Sequence, residues 1–369
     1  MKKQKITLDS DYTNVLRWKT FFRVDPIYGH RLARDSDIEI NFVDNFVDNF
    51  QTDEFGVVKN SQNSKSYSRR ITEDCEEKYI IFVFGGSNVM GIGSGKPENT
   101  IPSLLEQRLN LKVNSQQFIV VNFGVAGWTS STSLNFYFNE LFEHQPDLII
   151  LIDGWNDAAQ IPTTINFLDQ ESNEYHFSNL ANIYWLQNLL ILNHEMNIKL
   201  MLKNVLKYSF WKYLSIILNF LKIEQNNMNL LLSPFAINSC IVKHLRKETK
   251  NKELNFEKYT KVYFDNHKKF QYLCKNRDIE FLHFLQPLKS WNPNPHPEKS
   301  LQFHFFQEFK NEVDNFIKKD SSFYDLNNLS TLNLVIDFLD EGHLTCGGNR
   351  KVVDGVYEKV FKLYLKKNS

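Results

Sequence analysis

Four short segments hold residues whose types could do chemistry together: Gly85-Gly86-Ser87-Asn88, Asn122-Phe123-Gly124-Val125-Ala126-Gly127, Gly154-Trp155-Asn156-Asp157 and Asp340-Glu341-Gly342-His343. A serine hydroxyl is a weak nucleophile until a base takes its proton and a third group orients that base. Ser87 supplies the hydroxyl and His343 an imidazole. Asp340, three residues before the histidine, reaches the second ring nitrogen if the segment turns back on itself. Attack on a carbonyl creates an oxyanion, and each donor placed for it contributes ~3–4 kcal/mol. Candidates for that task are the N–H of Gly127, the carboxamide of Asn156 and the N–H of Ser87 itself.

Each segment alone has a plainer reading. Gly-Gly-Ser after a strand is commonly a turn, and Asp-x-x-His near a C-terminus a solvated one. Gly127 alone reads as a loop glycine and Asn156 as a turn closing a strand. The weight lies in the set and its order. Leu344 onward also reads as an amphipathic helix, which places the Asp340–His343 pair on the loop before it. Asp157 is expected to hold the loop bearing Ser87, the alternative being an exposed loop acid. Trp128 and Trp155 each neighbour an oxyanion candidate, and their faces could stack on a sugar ring or pack inside the core. Trp291, in a proline-rich loop, is a third ring of this kind.

The elements that must position these residues are legible as apolar runs. Tyr79–Phe84, Phe118–Val121, Leu148–Ile152 and Ile279–Leu285 each read as a buried strand, and a fifth is expected near Leu332–Ile336. Helical periods lie between them, at Thr100–Leu111 and near 130–143. Strands alternating with helices imply an α/β fold with a mainly parallel five-stranded sheet covered on both faces. Ligands gather at the carboxyl ends of such strands, where three of the four segments fall. Residues 1–75 are expected to be an N-terminal extension packed on a main domain of 76–369, with a helical insertion at about 178–232. Lys199, Lys203, Lys207, Lys212 and Lys222 make the insertion basic as well as apolar, so it reads as a packed side helix or as a peripheral membrane or partner contact.

Composition narrows the classes. Lysine plus arginine and aspartate plus glutamate number 43 each in 369 residues, which removes the global charge argument for nucleic acid. The four cysteines are scattered without a Cys-x-x-Cys pair, against a disulfide framework or zinc knuckle. No apolar run follows the basic start and no stretch of about 18 apolar residues occurs, so cytoplasmic residence without a spanning segment is expected. The run Gly91–Lys96 fails as a phosphate loop, because Met90 and Pro97 stand where glycine and Ser or Thr are required. His283, His296 and His304 have no metal-ligand spacing.

Together the four blocks resemble the SGNH, or GDSL-like, hydrolase superfamily, named for its serine, glycine, asparagine and histidine. The resemblance spans roughly residues 79–365, its specific content being the blocks themselves. It implies a flavodoxin-like three-layer α/β/α sandwich, Ser87 as nucleophile, His343 as base with Asp340 behind it, and Ser87, Gly127 and Asn156 as oxyanion donors. It implies neither metal nor cofactor. The first block carries Gly86 where many members have aspartate. A subgroup with a Gly-Gly-Ser start and a Gly-Trp-Asn-Asp block is associated with bacterial surface polysaccharide, and Phe284-Leu285-Gln286-Pro287 is similar to it too. The implied activity is a serine esterase that removes a small acyl group, acetyl first, from a carbohydrate. An O-acyltransferase using the same site and a non-catalytic glycan-binding module are the alternatives.

Overall fold

The computed structural model describes residues 5–8, 22–25, 28–43, 46–61, 64–72, 78–113, 117–158, 256–291 and 301–368. The chain divides into two compact units, one of residues 1–10, 32–169 and 253–369, the other of 11–31 and 170–252. The expected insertion at 178–232, with its lysines, lies outside the described residues.

In chain order the described strands are β1 (Lys5–Leu8), β2 (Phe22–Asp25), β3 (Gly29–Leu32), β4 (Asp37–Val43), β5 (Phe46–Gln51), β6 (Tyr79–Gly85), β7 (Phe118–Gly124), β8 (Leu148–Asp153), β9 (Glu280–Leu285) and β10 (Phe323–Asp325). The helices are α1 (Tyr67–Thr72), α2 (Ser87–Met90), α3 (Ile101–Val113), α4 (Ser130–Phe136), α5 (Phe256–Lys275), α6 (Leu301–Ile317) and α7 (Cys346–Lys367). Strands β2 and β3 pair as a two-stranded ribbon.

In the first unit, the central sheet has the order β10-β9-β8-β6-β7, and every pair in it is parallel. Counted along the chain that is 2-1-3-4-5 read from the β7 edge, the doubly wound flavodoxin-like order. The strands form where sequence supplies continuous apolar runs, because a parallel sheet is buried on both faces. Alternation along each strand sorts the layers. Ile81, Val83, Leu148, Ile150, Ile152 and Phe284 pack with Leu105 and Leu109 of α3 and Val352, Val356 and Val360 of α7. From the other face Phe84 meets Tyr137 and Phe270, while Leu285 packs with Tyr263 of α5 and Phe309 of α6. Burying each such side chain contributes about 1.5–3 kcal/mol. The result is a three-layer α/β/α sandwich.

The fifth strand is Phe323–Asp325 rather than Leu332–Ile336. The Asn333 carboxamide oxygen accepts the backbone N–H of Val335 at 2.9 Å and of Ile336 at 3.3 Å, closing a turn. Val335 and Ile336 then point outward, 82% and 66% exposed, while only Leu332 and Leu334 of that run pack partly buried against the core.

The N-terminal residues form strands the sequence reading did not resolve. β4 lies between β1, parallel to it, and β5, antiparallel to it. The segment that follows covers the open edge of β7. Val58 bridges Asn122, and the carbonyl of Val120 accepts from Asn60 Nδ2 at 2.7 Å and Arg70 Nη1 at 3.3 Å. An edge capped in this way cannot recruit another strand.

Candidate active site

The switch point of a doubly wound sheet lies between its first and third strands, here β6 and β8. Ser87 follows β6 and Gly154–Asp157 follows β8, so two of the four segments meet there. Ser87 opens α2, a single turn whose Met90 and Gly91 amides donate to the carbonyls of Gly86 and Ser87 at 3.0 and 2.9 Å. This turn aims the hydroxyl at the carboxyl edge of the sheet.

The fourth segment comes in on a loop closed by a bridge between Phe338 and Leu344 and by the N–H of Leu339 donating to the His343 carbonyl at 2.8 Å. Asp340 Oδ1 accepts the N–H groups of Gly342 and His343 at 2.9 and 2.7 Å. Its other oxygen lies 2.7 Å from His343 Nδ1, and His343 Nε2 lies 2.8 Å from Ser87 Oγ. Hydroxyl, imidazole and carboxylate thus stand in one line across 256 positions of sequence. Burial pushes the Asp340 carboxyl upward, but the bond to His343 and the two backbone N–H groups outweigh this and hold it below the usual range. An ionised carboxylate only accepts, so Nδ1 carries the ring proton and the Nε2 lone pair faces the serine.

Asn88 has no assigned role in the sequence reading beyond its place in the first segment. Its buried carboxamide donates to the Gly342 carbonyl at 2.7 Å, joining the Ser87 turn to the His343 loop. Its position directly after Ser87 is the only sequence signal for that tie.

Asn156 lies beside the Ser87 turn, with Nδ2 donating to the Trp128 carbonyl at 2.8 Å. One of its two amide protons is used there; the second is what an oxyanion would receive. Gly127 is exposed at φ +84°, in the turn closed by the Trp128 N–H donating to the Val125 carbonyl at 3.1 Å. A positive φ is what glycine supplies without strain. The Asn156–Trp128 bond therefore brings the second and third segments together beside Gly86.

One placement differs from expectation, and two rings take the packing alternative of their two readings. The Asp157 carboxylate binds not the Ser87 loop but the start of α4, accepting Ser130 N at 3.1 Å and Ser130 Oγ at 2.6 Å. A helix N-terminus offers free N–H groups, and these capture the acid. Burial, with the Asp153 charge nearby, raises the Asp157 carboxyl. The Trp128 ring is 2% exposed and packs 5.1 Å from Phe136, so it serves the core rather than a sugar. The Trp291 ring is equally enclosed, stacked on Phe309, with its N–H donating to the Phe306 carbonyl at 2.8 Å. Trp155 is half-buried and sits edge-on to His343 at 5.0 Å, so one indole remains beside that imidazole.

Behind β8 lies a buried polar chain. Asp153 Oδ1 contacts Tyr263 Oη at 2.8 Å and His283 Nε2 at 2.7 Å. His283 Nδ1 meets His267 Nδ1 at 3.0 Å, and His267 Nε2 meets Asp320 at 3.1 Å. Burial raises the Asp153 carboxyl and lowers the pKa of both histidines. Among the described residues no group of three or more histidine, cysteine or acidic side chains is arranged to hold a metal ion.

No protein-family model and no curated protein sequence matches this chain. Solved structures similar to it include an acetyl xylan esterase, AlAXEase, at 12% identity and TM-score 0.41, covering 76% of this chain and 99% of that one. A putative lipolytic protein of the G-D-S-L family from Desulfitobacterium hafniense DCB-2 is similar at 12% identity and TM-score 0.38, with the same coverage. A mutant acetyl-xylooligosaccharide esterase from Geobacillus Stearmophilus is similar at 12% identity and TM-score 0.40, covering 76% of this chain and 94% of that one.

Proposed function

We propose that this chain is a serine esterase that removes a small acyl group, acetyl first, from a carbohydrate or related glycan. The observation that carries the reading is the contact of Ser87 Oγ with His343 Nε2 at 2.8 Å, with Asp340 on the far side of the ring at 2.7 Å. The hydroxyl proton passes to Nε2 as Oγ attacks the ester carbonyl, and Asp340 steadies the imidazolium that forms. The oxyanion is received by the spare Asn156 amide proton and the N–H groups of Gly127 and Ser87. His343 returns its proton to the departing sugar oxygen, leaving an acyl-Ser87. Water then attacks that ester with His343 again as base, releasing the acid and restoring the hydroxyl.

The carbohydrate part of the reading draws on the Gly-Gly-Ser and Gly-Trp-Asn-Asp blocks and on Trp155. Its half-buried indole stands beside His343, where a flat apolar surface suits the face of a sugar ring. The test is hydrolysis of p-nitrophenyl acetate and of an acetylated oligosaccharide by wild type and Ser87→Ala, with fluorophosphonate labelling of Ser87. Turnover and labelling are expected only in wild type. Activity retained by the folded Ser87→Ala variant ends this mechanism, and acyl transfer to an added acceptor glycan would turn the reading to a transferase.

A further inference from the structure

The N-terminal strands carry a buried acid that this chemistry does not use. Asp48, on β5, is fully buried, and its carboxylate accepts the N–H of Gly93 at 2.9 Å and of Gly95 at 2.7 Å. Next to it, the Asn49 N–H donates to the Gly95 carbonyl at 3.0 Å. β5 therefore grips residues 93–95 at three points.

That loop joins the two halves of the site. At its start the N–H groups of Gly91 and Ile92 both donate to the Ser87 carbonyl, at 2.9 and 3.0 Å. On its far side it presses on the histidine loop. Gly93 has φ +94°, and a β-carbon there would lie 2.1 Å from the carbonyl oxygen of Leu344, the neighbour of His343. Asn349 of α7 holds the same loop from outside, its Nδ2 donating to Ser94 Oγ at 3.0 Å. Any shift of Gly93–Gly95 must move the nucleophile turn, the histidine loop, or both. A carboxylate is a demanding tether for such a place. Burial raises Asp48 to about 6 despite the N–H groups of Gly93 and Gly95.

We propose that Asp48 is a positioning residue for the reaction: by fixing Gly93–Gly95 it sets the separation between Ser87 and His343. Strand β5 thus belongs to the working site. This rests on the esterase reading for its chemistry, though not for its geometry.

The test is Asp48→Asn. An amide offers one acceptor and one donor in place of two acceptors, so one of the two bonds to Gly93 and Gly95 is lost and the loop moves. Displacing reacting groups by about 1 Å costs about 10²-fold, so a partial shift should slow the saturating rate of Ser87 phosphonylation roughly tenfold. The half-saturating probe concentration should stay within about twofold, because the probe still enters the same site. The downfield proton resonance of the His343–Asp340 bond should broaden or vanish in the variant. A folded Asp48→Asn protein with wild-type rate and resonance overturns the proposal. If wild type itself does not react, the esterase reading fails, while the resonance still reports on Asp48. If Asp48→Asn does not fold, Ser94→Ala loosens the loop from its other side. It should lower the same saturating rate and broaden the same resonance, and no change in either overturns the proposal.

Discussion

A β-carbon on Gly86 would lie 2.5 Å from Nδ2 of Asn156. The residue before Ser87 and the Asn156 carboxamide therefore compete for one space, and the carboxamide holds it. Gly86→Ala must push Asn156 off the Trp128 carbonyl and away from the oxyanion position. Losing one such donor costs about 10²–10³ in kcat, and a fall of that order is expected with the fold intact. Kinetics on p-nitrophenyl acetate beside a thermal melt check it; an unchanged kcat would mean that Asn156 gives the oxyanion nothing.

Asp340 fixes the tautomer of His343. With asparagine in its place the ring can accept a hydrogen bond at Nδ1 from the amide N–H, which leaves the ring proton on Nε2, unable to accept from Ser87. Asp340→Asn should lower kcat by about 10⁴. Steady-state rates alongside phosphonylation of Ser87 measure this, and a loss under tenfold would mean that the carboxylate does not set the ring.

The same carboxylate makes stability depend on acid. Its folded pKa lies below the usual value, so its contribution is present above the unfolded pKa of about 3.9 and is lost as pH falls through the folded one. The melting temperature of wild type should exceed that of Asp340→Asn at neutral pH, and the gap should close on acidification below about pH 4. A gap that is flat across this range would contradict the pairing.

The buried chain behind β8 titrates in the opposite sense. With Asp320 ionised, His267 donates to it from Nε2 and accepts from His283 at Nδ1, which leaves His283 Nε2 bare, 2.7 Å from Asp153. Two acceptors cannot share that contact, so the chain needs one extra proton, and the raised Asp153 carboxyl is where it rests. Stability from that proton is full below the unfolded pKa of about 3.9 and is lost as pH rises through the raised folded value. Asp153→Asn imitates the protonated acid permanently. Its melting temperature relative to wild type should climb from pH 4 toward neutrality, and no such climb would mean that Asp153 is ionised throughout.

Sequence legibility followed burial and length. β6 to β9 were readable because strands buried on both faces are continuous apolar runs. β10 was not, since three residues of mixed character carry no period, while the apolar Leu332–Ile336 run that imitates a strand ends in an Asn333 turn. Trp128 and Trp155 sit in similar sequence surroundings, yet one ring is enclosed by the core and the other is half-open beside His343. Asp157 offered no local sign that its partner would be Ser130, 27 positions away.

The chain by itself determined which residues have types able to do the proposed chemistry and the class of fold that brings them together. Residue type sets what a side chain can donate or accept, and apolar periodicity sets which segments must be buried. Only the tertiary structure decided which groups meet. The 2.8 Å contact of Ser87 with His343, the tie from Asn88 to Gly342, the Asn156 carboxamide over Gly86 and the grip of Asp48 on Gly93–Gly95 join residues on separate segments. Hydrogen bonds are fixed by ångström distances and angles, and sequence spacing holds no record of those until the sheet has closed.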